Sequence, residues 1–187
     1  LDVGLLHGLD ARVDFKGSAE TMSLDDINAE LNLQIDSFGV GDYAYSDISA
    51  TDLMDNGQYY SEVSSEDENM RFMLYAMADR REDVPHYGLS VNLEHADLHA
   101  VGINRRDSIS ELSTSMGIDL VGRGLDDFEG FASIADVDYK YPQGELSTGR
   151  MHLDVRGGDE LRTLHLESDF FDMQYQSRSS YKNIASY

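Results

Sequence analysis

Ala29-Glu-Leu-Asn-Leu-Gln-Ile-Asp36 alternates apolar and polar residues without exception. Successive side chains on a strand point to opposite faces. This octet therefore puts Ala29, Leu31, Leu33 and Ile35 on one face and four polar residues on the other. The same period of two runs through Leu9–Lys16, Leu89–Glu94, Met116–Leu120, Met151–Arg156 and Leu164–Glu167. Strands greasy on one side and wet on the other belong to an antiparallel sheet covered on one face only. Turn signals separate them. Asp55-Asn56-Gly57 tolerates the positive φ of a tight hairpin, and Gly157-Gly158-Asp159 is expected to do the same job. Pro85 and Pro142 fall where a ladder N–H is missing. No long amphipathic helix is legible, and Ser108–Leu112 has room only to start a short one. The expected fold class is all-β.

The chain also repeats itself. Val13–Gly17 matches Ile118–Gly122, Leu24-Asp25-Asp26 matches Leu125-Asp126-Asp127, and Ser65–Phe72 matches Ser168–Tyr175, each about a hundred residues apart. Small insertions between the blocks are what surface loops permit. The two copies span 9–77 and 112–181, joined by strands in 84–104, and the whole of 1–187 reads as a single interior fragment of a longer repeat protein. In each copy the LDD triplet connects the first two strands. Leu24 and Leu125 are expected to tuck under that turn, with the Asp pair wet and shaping it. Units of this kind either close face to face as sandwiches or stack end to end into one continuous interior. The matching order of elements, with only more strand between the copies, favours stacking.

Bulk properties narrow the function. The 187 residues include 36 acidic and 14 basic side chains, for a formal net charge of −22. Such a surface repels phosphate backbones and anionic headgroups, so no nucleic-acid partner is expected. There is no cysteine, which removes disulfides and thiolate catalysis. No apolar run approaches the ~20 residues of a membrane-spanning helix. The opening LDVGLLHG lacks the features of a signal peptide. That opening and the ordinary polar end, SRSSYKNIASY, suit a piece of a longer chain.

Motifs of chemistry are few. His95-Ala-Asp97-Leu-His99 has ligand-like spacing, but Ala96, Leu98 and Ala100 form the apolar set there, so the polar three are expected on the wet face without a metal. Thr51–Gly57 starts like a calcium loop and fails at Met54 and Val63. Asp126 and Asp127 are adjacent and point opposite ways, unlike a glycosidase pair facing across a cleft. No phosphate loop, dinucleotide fingerprint or nucleophile elbow is present. The expectation is a protein that is not an enzyme and has no cofactor. What remains is the greasy stripe, whose collective use would be to hold acyl chains.

Three stretches carry a resemblance: VDFKGSAETMSLDDINAELNLQIDSFGVGDYAYSDI (13–48), EHADLHAVGINRRDSISELSTSMGIDLVGRGLDDFEGFASIADVDYKY (94–141) and LHLESDFFDMQYQS (164–177). Their formula of strand, glycine, LDDFxG, strand and DVDYxY is similar to that of the AsmA-like/TamB family, in its large Bacteroidota form, over nearly all of 9–181. The resemblance implies an elongated, U-shaped β-taco with an apolar groove. It implies a periplasmic, inner-membrane-anchored protein that bridges the envelope and acts in outer-membrane assembly or in phospholipid transport between the membranes. The partners implied are phospholipid acyl chains and, through parts outside this chain, an Omp85-class outer-membrane barrel. No catalytic residue is implied. The expected groove lining is Val13, Phe15, Leu31, Leu33 and Ile35 in the first copy, with Phe72 and Leu74. Leu89, Val91 and Leu93 continue it, then Ile118, Leu120, Ile134, Met151, Leu153 and Val155, and finally Leu164, Leu166, Met173 and Tyr175. Two other functions fit alternating strands: a β-strand chaperone for outer-membrane proteins, and a cell-surface adhesin of stacked β-sandwiches.

Overall fold

The computed structural model describes residues 6–19, 26–158, 161–178 and 180. Eleven strands follow one another: β1 (Leu6–Ala19), β2 (Ile27–Val40), β3 (Tyr43–Asp55), β4 (Gln58–Asp67), β5 (Met70–Asp79), β6 (His86–Asp97), β7 (Glu111–Val121), β8 (Glu129–Tyr141), β9 (Gly144–Arg156), β10 (Arg162–Ser168) and β11 (Asp172–Ser177). Each pairs antiparallel with the next, so the sheet order equals the chain order. The result is the all-β fold expected from the alternation: one curved, elongated sheet that does not close into a barrel. No α-helix occurs among the described residues, and Ser108–Ser110 is irregular chain leading into β7.

The turns explain the meander. Asn56 (φ 45°) and Gly57 (φ 84°) form a two-residue loop between β3 and β4, the left-handed pair that matches strand twist. Two-residue loops also join β2 to β3, β4 to β5 and β8 to β9. Gly157 and Gly158 lie instead in a longer connection from β9 to β10, and Asp159 falls outside the described residues.

Along one end of the sheet the register slips. Shifts occur in β1 between His7 and Asp10, in β6 around Leu93–Ala96, and between Ser113 and Ser115 where β8 carries Asp136 at φ 53°. Each extra residue bends its strand and adds twist. This end holds most of the burial the molecule has. The 98–110 connection packs there, with Ala96 and Val101 the only fully buried apolar residues among those described. Asp67, 1% exposed, sits at the same end. Tyr43 OH (2.5 Å) and the backbone N–H groups of Ser46 (2.8 Å) and Asn69 (2.9 Å) all donate to its carboxylate. A buried carboxylate is tolerable only with such a shell of donors. Burial, and then the hydrogen bond to Asp67, push the Tyr43 pKa up to about 12.

The opposite end answers what the LDD triplet does. Asp127 closes the β7–β8 turn by accepting from Gly124 N (2.6 Å) and Arg123 N (3.0 Å). Asp126 ties that turn to the next connection. Its carbonyl accepts from Gly158 N (3.2 Å) and Arg162 Nε (3.1 Å), and its carboxylate lies 3.4 Å from Arg162 Nε. Arg123 Nε reaches back to Asp83 O at 3.0 Å, so three successive connections are stitched together. Leu125 does not tuck under the turn as expected: it is 57% exposed. The backbone bonds and the Asp side chains already close the turn, and with one layer there is no core beneath it to receive a leucine. Leu24 and Asp25, its counterparts in the first copy, lie outside the described residues.

Candidate functional site

Cross-strand partners share a face, so register places each predicted residue without appeal to contacts. One row crosses all eleven strands: Phe15, Leu31, Asp52, Ser61, Ala76, Leu89, Ile118, Ala132, Leu153, Leu166, Met173. Two residues along, Val13, Leu33, Leu74, Val91, Ile134 and Met151 form a second row with Ala50, Val63 and Met116. Leu120, Val155, Leu164 and Tyr175 belong to a third. Ile35, Phe72 and Leu93 belong to a fourth that also contains Ile48, Ser65 and Thr114. All twenty predicted positions therefore lie on one face.

No second sheet lies over that face, although Ser61 in the first row and Ser65 and Thr114 in the fourth are buried. Most of its residues are only partly exposed, and Phe15 at the β1 end is 66% exposed. With strands ~4.8 Å apart and rows ~6.8 Å apart, the first three rows make a surface roughly 48 Å by 14 Å, widened by the fourth across the six strands β2–β7. Asp52 interrupts it. The carboxylate accepts a hydrogen bond from Tyr59 OH at 2.7 Å on the same face. The Ser61 hydrogen bond lowers the Tyr59 pKa, but burial and Asp52 outweigh it, and the net shift is upward.

The opposite face is polar along most of its length, with rows such as Gln34, Ser49, Ser64 and Asn32, Thr51, Glu62. Sequence reading missed an exception to this. Leu53, Tyr60 and Met77 pair in register there, with Gly88 beside Met77 and Tyr75 diagonal to Tyr60. They line a hollow of about 520 Å³. The signal was present in Phe72-Met-Leu-Tyr-Ala-Met-Ala78, seven residues without a polar break, which reads as a strand covered on both faces.

His95, Asp97 and His99 do not share a strand face. β6 ends at Asp97, whose Oδ1 accepts from His99 N (3.0 Å) and Ala100 N (2.9 Å), turning the chain away. Asp97 is thus a turn-former. Among the described residues, no group of three or more His, Asp or Glu side chains is placed to hold a metal ion. Comparison with known protein families, with curated proteins and with solved structures finds no match to this chain.

Proposed function

We propose that this chain is a segment of an envelope-bridging protein whose apolar face shields phospholipid acyl chains in transit between membranes or during outer-membrane assembly. The observation that carries the reading is the apolar face with no second sheet over it, three rows deep and up to eleven strands long. Its footprint over the three full rows is roughly 700 Å², larger than the apolar patches of a few hundred Å² usual on monomers. The mostly small and branched side chains, interrupted at Asp52 and a few Ser and Thr, suit a ligand that is long, apolar and variable. In this reading, which rests also on the resemblance to the AsmA-like/TamB family, the whole protein is periplasmic and anchored in the inner membrane. It meets an Omp85-class barrel through parts outside this chain, and no residue here is catalytic.

A second reading has one observation in its favour. An open sheet leaves the outer edges of β1 and β11 without partners within the described chain, and such edges can pair with a client strand. A stacked-sandwich adhesin has none, because all eleven strands form one sheet rather than two facing ones.

Photo-crosslinking separates the two readings. The chain is incubated with vesicles containing a phospholipid that carries a diazirine in its acyl chain, then irradiated and peptide-mapped. Adducts concentrated on apolar-face positions such as Leu120 and Leu153 are expected. No adducts, or adducts spread evenly over both faces, would contradict acyl-chain shielding.

A further inference from the structure

We propose that the hollow on the polar face is a separate binding site for a flat apolar cation, such as an aryl ammonium or a cationic heteroaromatic. Its large side chains, Leu53, Tyr60, Tyr75 and Met77, lie on the side of the sheet away from the acyl-chain surface, while Ser61, Ala76, Leu89 and Ile118 of the first row also line it. Its volume of about 520 Å³ falls within the range of small-ligand pockets. Leu53, Tyr60 and Tyr75 line it while each remains more than two-fifths exposed, an apolar cluster on a face that is mostly polar. The floor is low because Gly88 has no side chain. Met77 fills part of that space, its Cγ 2.9 Å from where a Cβ on Gly88 would stand.

The charge of the ligand follows from what lines the hollow. Glu62 is its one charged residue, cross-strand partner of Tyr75 and two positions from Tyr60. No lysine or arginine lines it. Arg81, beyond the hollow, is already held by Asp79 at 2.7 and 3.0 Å. Two phenol rings offer negative π faces, and cations over such faces are favoured most where they are partly desolvated. A carboxylate beside them on a chain of net charge −22 repels anions and attracts cations. A planar body matches the sheet surface, where the two tyrosines are diagonal neighbours about 7–8 Å apart.

Thioflavin T, a flat cationic dye that brightens when its rotor is held, is the probe. Titration into the whole chain is expected to give a saturable one-to-one rise in fluorescence. Tyr60→Leu with Tyr75→Leu keeps the surface apolar but removes the π faces, and weakens binding about tenfold. Glu62→Gln weakens it about two- to fivefold. Gly88→Val fills the floor and abolishes it; should that variant fail to fold by circular dichroism, the tyrosine variant decides alone. Leu120→Arg, on the opposite face, leaves binding unchanged. The proposal is overturned if binding does not saturate, if the tyrosine pair has no effect, or if Leu120→Arg removes the signal. It is equally overturned if the anionic dye 1-anilinonaphthalene-8-sulfonate competes for the same variants.

Discussion

A single carboxylate at the bulged end shows how this thin molecule meets the cost of a buried charge. Asp67 has donors on every side, and Tyr43 supplies the shortest contact. Tyr43→Phe removes that donor and leaves the carboxylate under-satisfied, at a cost of about 1–3 kcal/mol in chemical denaturation at neutral pH. The pH dependence has a definite sign. Tyr43 titrates near 12 in the folded chain and near 10 when unfolded, so its contribution is intact below pH 10 and fades as pH climbs toward 12. The parent is expected to lose stability across that window and Tyr43→Phe to lose less, read from denaturant midpoints at successive pH values. A steeper loss in the variant would contradict the assignment. At the other end, Asp126 faces an Arg162 side chain that is 11% exposed. Asp126→Ala removes the carboxylate but keeps the backbone carbonyl that Arg162 Nε donates to, and is expected to cost about 1 kcal/mol. Asp126→Asn keeps an acceptor and is expected to cost less.

Among the strands, what the sequence made legible and what it hid divide along physical lines. Period-two alternation placed twenty residues on one face, because the pleat admits only two faces and one-residue slips are costly when a face is apolar. Asn56-Gly57 announced its turn through its tolerance of positive φ. Three things were hidden. The bulges depend on tertiary bending and carry no composition signal in Asp136 or His95. The role of Asp97 as a turn-former looked like strand continuation, because Ala96, Leu98 and Ala100 kept the alternation going past the strand end. The hollow at Tyr60, Tyr75 and Met77 was overlooked because each residue, taken singly, is an ordinary off-face apolar side chain. Between β7 and β8, Gly130 makes a test specific to close strand approach. Its φ is 139°, and a Cβ there would run into the Asp119 carbonyl oxygen. Gly130→Ala is expected to cost about 1–3 kcal/mol, seen as a lower denaturant midpoint with an unchanged slope. A neutral outcome would mean that the β7–β8 approach is looser than described.

For the whole molecule the governing fact is the missing second layer. The chain exposes 12441 Å², against roughly 9,000 Å² for a compact monomer of this length. Stability therefore comes from neighbour-to-neighbour strand pairing and from side chains packed along each row, much as in a repeat protein, rather than from a closed core. One consequence concerns charge placed on the apolar face. In a closed core an unpaired arginine would unfold the chain, whereas on an open face its stem lies along the neighbouring side chains and its guanidinium reaches water. Leu120, in the third row beside Tyr87 and Gly130, is the position to test. A guanidinium there also obstructs acyl chains, which cannot solvate it. The decisive measurement is the phospholipid that copurifies with Leu120→Arg, quantified by denaturing mass spectrometry beside the parent, with circular dichroism melts of both. The account predicts melting within about 3 °C of the parent and a severalfold loss of bound phospholipid. Cooperative unfolding of the variant would make the face an ordinary core, and unchanged phospholipid on a folded variant would contradict the acyl-chain role.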